Sequence, residues 1–115
     1  MNQSSESASA SRGLKQVAQD VESGAHSPGG VSITNRLGLH ARAAAIVVRL
    51  AHTFRSSVTL VRSDTGVRSD GKDILSVLQM AAGFGVDISI VTDGNDEQQA
   101  LEEISKLFAD KFGED

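Results

Sequence analysis

The stretch from Gly38 to Ala45, GLHARAAA, places a histidine two residues before an arginine at the start of an expected helix. Asn35 and Gly38 indicate a turn, and strong helix formers follow from Ala41 onward. His40 is therefore expected at or beside the N-cap, where unpaired backbone N–H groups and the positive end of the helix dipole favour an anion such as phosphate. An imidazole at this place, with a guanidinium nearby, is suited to holding a phosphoryl group on a ring nitrogen.

The simpler interpretation of the pair is structural. His40 would then be a partly exposed capping residue, and Arg42 a solvated arginine of the first turn. However, a cation at a helix N-terminus opposes the dipole by about 0.3–1 kcal/mol. This unfavourable placement is easier to understand if an anion binds there, and so the pair favours a functional site.

The composition indicates an ordinary globular protein and excludes several classes of function. The chain has 115 residues, which is enough for one small domain, with 39% hydrophobic and 23% charged residues. A net charge of −4 predicts no general attraction to nucleic acid or to an anionic membrane. The absence of cysteine excludes disulfides, and neither a membrane-spanning run nor a secretory signal is found. We expect a cytoplasmic protein.

The chain divides into three parts. Residues 1–30 are rich in small polar residues and are expected to be a disordered leader, in which a short amphipathic piece is too short to hold a helix unaided. Residues 31–112 are expected to form the compact domain, and residues 113–115 a tail.

The apolar patterns predict the element order β-α-β-β-α-β-α. Alternating strands imply a sheet with one solvated face, so that the helices pack on the other. The expected fold is α+β, an open-faced β-sandwich with a four-stranded antiparallel sheet and three helices on one face. The expected strands are Val31–Thr34, Val58–Arg62, Val67–Ser69 and Val86–Ile90, and the expected helices are Ala41–Thr53, Ile74–Met80 and one that begins after an Asn95 N-cap, with Gln98 completing a capping box.

Three other kinds of site are rejected. The three histidines are scattered without suitable carboxylates, so no metal site is expected. Gly83-Phe84-Gly85 follows a helix and matches no phosphate-binding loop of nucleotide-binding proteins. An RNA-binding sheet needs aromatic side chains on its strands, whereas this chain has no Tyr or Trp and its four Phe fall in helices or loops.

The sequence resembles the HPr family, the histidine phosphocarriers of the bacterial phosphoenolpyruvate-dependent phosphotransferase system. The similarity extends from Val31 to about Phe112 and rests on three segments: NRLGLHARAAA around His40, Phe54-Arg55-Ser56-Ser57, and GKDILSVLQMAAGFG from Gly71 to Gly85. The open-faced β-sandwich of this family agrees with the fold inferred from the patterns.

The resemblance implies a carrier and not an enzyme. His40 would accept a phosphoryl group on Nδ1 from phosphorylated enzyme I and pass it to an enzyme IIA-type acceptor protein, in sugar transport or in regulation. The backbone N–H groups of Ala41 and Arg42 would hold the phosphoryl oxygens, and the Arg42 side chain would steady the dianion. No cofactor is implied, and the protein is expected to be a monomer.

Two positions depart from the family pattern. Ala43 stands where the family usually has proline, which predicts a slightly looser helix start. Asp73 occupies the position of a regulatory serine in many relatives. We favour the interpretation that Asp73 is a helix N-cap, and the alternative is that its charge imitates part of a phosphoserine.

The partner surface is expected at the start of the first helix together with Ile74, Leu75 and Leu78 of the second. Leu75 is the residue that we expect to be exposed, whereas Ile74 and Leu78, at i and i+4, could belong to the core. Two other functions remain open: a regulatory relative that binds a partner protein without carrying phosphate, and a carrier in a nitrogen-linked or regulatory branch.

Overall fold

The computed structural model describes residues 29–114, and it confirms the predicted order of strands and helices. The strands are β1 (Gly30–Ser32), β2 (Ser57–Arg62), β3 (Arg68–Asp70) and β4 (Asp87–Asp93), and the helices are α1 (Ala41–Ala51), α2 (Ile74–Gln79) and α3 (Glu97–Ala109). Residues 1–28 of the predicted leader lie outside the described residues. The last residue of the predicted tail, Asp115, also lies outside them.

The four strands form one antiparallel sheet in the order β1-β4-β2-β3. In the central pair, Leu60 lies opposite Ile90, and Val31 of the edge strand lies opposite Ile88. Because side chains alternate along a strand, these residues point to one face, and Leu60, Ile88 and Ile90 are buried there. This register makes one face of the sheet the floor of the core.

The helices cover that apolar face. Helix α1 buries Ala43, Ala44, Val47 and Ala51, and three of these four side chains are single methyl groups. Helix α3 buries Ala100, Leu101, Ile104 and Phe108 at helical spacing. One contiguous apolar core results, and it fixes the position of the first turn of α1, where His40 lies.

The N-cap predicted for α3 is wrong by one residue. The structure places Asp96 at the N-cap, and its side chain makes no capping hydrogen bond. Its carboxylate instead accepts hydrogen bonds from the backbone N–H groups of Arg55 and Ser56, at 3.0 and 2.9 Å, and from the Ser56 hydroxyl. These hydrogen bonds connect the chain before β2 to the start of α3. The residues are 40 positions apart, so a local capping pattern could not predict the contact.

A further turn follows α3, and the sequence patterns did not predict it. Lys111–Gly113 forms a 3₁₀ turn in which Lys111, Phe112 and Gly113 all have positive φ, at 57°, 56° and 78°. Phe112 is buried, and its ring meets that of Phe108 edge-on at a centroid distance of 4.9 Å. Burial of this ring turns the end of the chain back towards the start of α1.

No helix within residues 29–114 is long and apolar enough to cross a bilayer.

The Asp96 carboxylate predicts an acid-sensitive step in stability. Hydrogen bonds from Ser56 and from the backbone of Arg55 lower its pKa from 3.8 to about 2. A lowered pKa stabilises the fold at pH values above the unfolded pKa, and this contribution is lost as the pH falls from about 4 to about 2. Asp96→Asn is therefore expected to unfold at lower urea concentration than the wild type at pH 7.

Urea titrations at pH 7, 4 and 2 measure this effect. The difference between wild type and Asp96→Asn should shrink between pH 4 and pH 2. Asp93→Asn, which removes an exposed carboxylate nearby in the sequence, is the control and should follow the wild type. An equal difference at all three pH values would contradict the assigned role of the carboxylate.

Candidate functional site

His40 lies at the N-cap of α1, as the sequence predicts. Its backbone is extended, with φ −76° and ψ −179°, and its carbonyl accepts the hydrogen bond from Ala44 N–H at 2.8 Å. The ring takes part in the cap, because Nδ1 accepts a hydrogen bond from the backbone N–H of Arg42 at 3.3 Å. The imidazole thus points one nitrogen at the backbone donors of the first turn.

The loop before His40 is fixed by close contact with the chain that follows α2. Leu39 N–H donates to Ala82 O at 2.9 Å, and Gly38 has a φ of +70°. A Cβ atom at Gly38 would lie 2.7 Å from Gly83 Cα and 2.8 Å from Ala82 O. Glycine is required here for both reasons, and the close approach determines where His40 enters the helix.

The second ring nitrogen of His40 contacts Glu114. Nε2 lies 2.9 Å from Glu114 Oε1 and 3.2 Å from Oε2. A carboxylate can only accept, and Nδ1 also accepts a hydrogen bond from Arg42 N–H, so these partners imply the tautomer with its proton on Nε2. In that tautomer the lone pair of Nδ1 lies at the N-terminus of α1. The two side chains are 27% and 23% exposed, and the ring is therefore accessible.

Glu114 is held in turn by Asn35. The Asn35 amide is fully buried and donates from Nδ2 to Gly38 O at 2.9 Å and to Glu114 Oε1 at 3.2 Å. The pKa of the Glu114 carboxyl is lowered, first by its hydrogen bond with His40, then by that with Asn35, and also by the positive charge of Arg42. The carboxylate is therefore ionised at neutral pH.

An open depression of about 550 Å³ lies beside His40. It is lined by Arg36, Leu37, His40, Arg42 and Glu114. Arg42 is exposed on the first turn of α1, where a small anion at Nδ1 would meet both the backbone N–H groups and a guanidinium. The depression thus combines an exposed ring nitrogen, a helix N-terminus and two arginine side chains, which is an arrangement suited to an anion.

Asp73 caps α2, as expected. It precedes Ile74 with an extended backbone, and its Oδ1 accepts from Leu75 N–H at 3.0 Å and from Ser76 N–H at 3.4 Å. These bonds account for an aspartate at this position in structural terms. Imitation of phosphoserine by the same carboxylate stays a prediction.

The apolar residues of α2 differ in exposure. Leu75 is 65% exposed, as expected, and Ile74 is also exposed, at 37%. Leu78 is half-buried and packs against the core. The alternative that placed both Ile74 and Leu78 in the core is therefore correct for Leu78 alone.

Sequence reasoning missed two residues of the site. Glu114 was assigned to a tail and Asn35 only to a turn, yet both contact the site. One signal was available for Glu114. It follows Phe112 by two residues, and Phe112 was already placed in the compact domain, so an acidic residue so close to it could also contact the domain. Nothing local to Asn35 distinguishes a buried amide from an exposed turn residue.

The other histidine described lies apart from this depression. His52 is exposed at the C-terminal end of α1, and its Nε2 lies 2.8 Å from Lys72 O. In the part of the chain that the structure describes, no three His, Cys, Asp or Glu side chains come together in a way that could hold a metal ion.

Comparison with known proteins points to one family. The family model described as "PTS HPr component phosphorylation site" matches residues 29–110. Phosphocarrier protein HPr of Cupriavidus necator is 45% identical over 83 residues, which is 72% of this chain and 91% of that protein. Phosphocarrier protein NPr of Proteus mirabilis is 40% identical over 85 residues, which is 74% of this chain and 93% of that protein.

A solved structure agrees with the sequence matches. The crystal structure of HPr-C-His from Thermoanaerobacter tengcongensis superimposes with a TM-score of 0.71 at 29% identity, and the match covers 75% of this chain and 94% of that one. The two chains therefore share the same overall fold.

Substitution of Gly38 tests whether the close approach holds the site. Gly38→Ala is expected to lower the free energy of unfolding by about 2–4 kcal/mol, because it adds a steric clash to the strain of a positive φ. Gly66→Ala is the matched control: Gly66 has a φ of +78°, but a Cβ atom there would meet nothing within 4 Å. This control is expected to lose only about 1–2 kcal/mol. Equal losses in urea titrations would contradict the role of the Gly38–Gly83 contact.

Proposed function

This chain belongs to the HPr family of the phosphotransferase system, and from that membership we propose that His40 is the residue on which it carries a phosphoryl group. Members of this family are phosphocarriers and not catalysts, and the chain is a carrier of the same kind. The observation that supports His40 as the carrier residue is the direction of its Nδ1, which accepts a hydrogen bond from the backbone N–H of Arg42 in the first turn of α1.

The chemistry follows from the tautomer. In neutral His40 the lone pair of Nδ1 accepts a hydrogen bond from Arg42 N–H, and this bond opens before transfer. The lone pair then attacks phosphorus while the bond from phosphorus to the donor breaks and its electron pair leaves with the donor. The N–H of Arg42, which now donates to Nδ1, is then available to the phosphoryl oxygens together with that of Ala41. Transfer to the acceptor reverses these steps.

Arg42 stabilises the charge on the phosphoryl group. Its planar guanidinium provides paired donors for two oxygens of the dianion, and its exposed position allows it to follow the group during transfer. The cost of placing a cation at the positive end of the helix dipole is offset whenever the dianion is bound.

We further propose which residues form the carrier domain and which proteins it exchanges the phosphoryl group with. Residues 31–112 form the carrier domain, which takes its phosphoryl group from enzyme I and passes it to an enzyme IIA-type acceptor in the cytoplasm. Ile74, Leu75 and Leu78 of α2 are the proposed docking residues, and the exposure of Leu75 supports this choice.

The carrier role is favoured over a binding-only role. A module that only binds a regulatory partner has no use for an accessible imidazole whose Nδ1 faces backbone donors, with Arg42 beside it. The alternative role of a carrier in a nitrogen-linked or regulatory branch has weaker support. The chain is 40% identical to a phosphocarrier protein NPr but 45% identical to a phosphocarrier protein HPr.

Incubation with phosphoenolpyruvate and enzyme I, followed by intact-mass measurement, tests the carrier residue. The wild type is expected to gain one acid-labile, alkali-stable phosphoryl adduct, and His40→Ala none. His52→Ala, which removes the exposed histidine at the other end of α1, is the control and should keep the adduct. An adduct that survives in His40→Ala would refute the assignment.

Arg42→Ala is expected to slow transfer from enzyme I about 10- to 100-fold while the protein stays folded. The loss corresponds to about 1.5–3 kcal/mol for charge-assisted hydrogen bonds made to the transferring group. Arg49→Ala removes an exposed arginine from the last turn of the same helix and should change the rate less than twofold. Equal rates for the two variants would contradict a role for Arg42 in transfer.

Asp73→Ser separates the two interpretations of Asp73. Serine also caps a helix, so stability should change by less than about 1 kcal/mol, and the capping interpretation predicts an unchanged rate of transfer from enzyme I. A clear rise in this rate would support imitation of phosphoserine, because removal of the charge would then relieve repulsion of an acidic partner. The rate is measured by stopping the reaction with enzyme I at set times and quantifying the phosphorylated protein.

A further inference from the structure

We propose that Glu114 is a positioning residue for phosphoryl transfer: through Nε2 it orients the His40 ring, fixes its tautomer and neutralises the charge that develops on the ring. This inference rests on the proposed role of His40 and concerns a residue near the end of the chain that the sequence patterns assigned to a tail.

The geometry separates the two nitrogens by function. Nδ1 lies at the backbone donors of α1, and Nε2 lies against Glu114 at 2.9 and 3.2 Å from its two oxygens. A neutral imidazole has one proton, and an acceptor at Nε2 keeps it there. A hydrogen-bond acceptor at one ring nitrogen thus selects the other nitrogen as the one that attacks.

The balance of protons and electrons gives the carboxylate its second role. When Nδ1 forms its bond to phosphorus, Nε2 keeps its proton and the ring acquires a positive charge. When the phosphoryl group leaves, the electron pair of the N–P bond returns to Nδ1 and the ring is neutral again. No proton moves in either direction, because the ring remains protonated at Nε2 throughout. A negative charge at Nε2 stabilises the phosphorylated ring and the charge that forms on the way to it.

The charges around the ring are mixed. Arg36, Arg42 and Glu114 line the same depression as His40. The two arginines suit the phosphoryl dianion but disfavour a cationic ring, and Glu114 is the carboxylate that contacts the ring directly. Because both side chains of the contact are about one quarter exposed, solvent screens the interaction, and we expect a moderate effect on rate.

Two buried contacts bring Glu114 to the ring. Phe112 is buried against Phe108, and the positive φ values of Lys111 and Phe112 turn the chain back from the end of α3. Asn35, fully buried, then donates to Glu114 Oε1. Because the same amide donates to Gly38 O at 2.9 Å, Asn35 links the Glu114 carboxylate to the loop that leads into His40.

Two variants separate charge from orientation. Glu114→Gln keeps an acceptor for Nε2–H and removes the charge, whereas Glu114→Ala removes both. Glu103→Gln, an exposed carboxylate on α3, is the matched control. We expect transfer from enzyme I to be about three- to tenfold slower in Glu114→Gln, slower still in Glu114→Ala, and unchanged in Glu103→Gln.

Nitrogen-15 NMR of the unphosphorylated full chain provides the readout that a merely structural role would not alter. The wild type and Glu114→Gln should show His40 with its proton on Nε2. Glu114→Ala should show a larger share of the other tautomer than the wild type, because only the 3.3 Å hydrogen bond from Arg42 N–H then keeps the proton off Nδ1. Unchanged transfer rates together with an unchanged tautomer in both variants would overturn the inference and leave the carrier role of His40 intact. Failure of the wild type to form a His40 adduct would instead overturn the proposed function, and this inference with it.

Discussion

The site depends on one hydrogen bond, from the backbone N–H of Arg42 to Nδ1 of His40. It sets the ring at the N-cap of α1 and directs a lone pair into the field of the helix. His52 lies at the C-terminal end of the same helix, where the ring meets Lys72 O and not a backbone N–H of the first turn. The role proposed for His40 therefore depends on its place at the N-terminal end of the helix as well as on its residue type.

The rest of the fold serves to hold that helix end. The sheet register buries Leu60, Ile88 and Ile90 beneath the helices, and the buried residues of α1 belong to the same core. Gly38 lets the loop before His40 pass close to Gly83. At the other side, the packing of Phe112 on Phe108 brings Glu114 to the second ring nitrogen. Contacts distant in sequence thus converge on one side chain.

The sequence predicts what depends on local pattern. The order of elements, the N-cap position of His40 and the cap at Asp73 all follow from residue types within a few positions of each other. It did not predict the partner of Asp96 or the contact of Glu114 with His40, which join residues 40 and 74 positions apart. Such contacts depend on how the elements pack, and periodicity carries no information about them.

The most direct test of the account identifies the nitrogen that carries phosphorus. The full chain, labelled with nitrogen-15 in histidine, is phosphorylated by enzyme I and phosphoenolpyruvate, and the coupling between phosphorus-31 and nitrogen-15 is measured. The account predicts coupling to Nδ1 of His40, with the proton on Nε2. Coupling to Nε2, or to another histidine, would contradict it, since the backbone donors of α1 and the Glu114 carboxylate would then have no part in selecting the reactive atom.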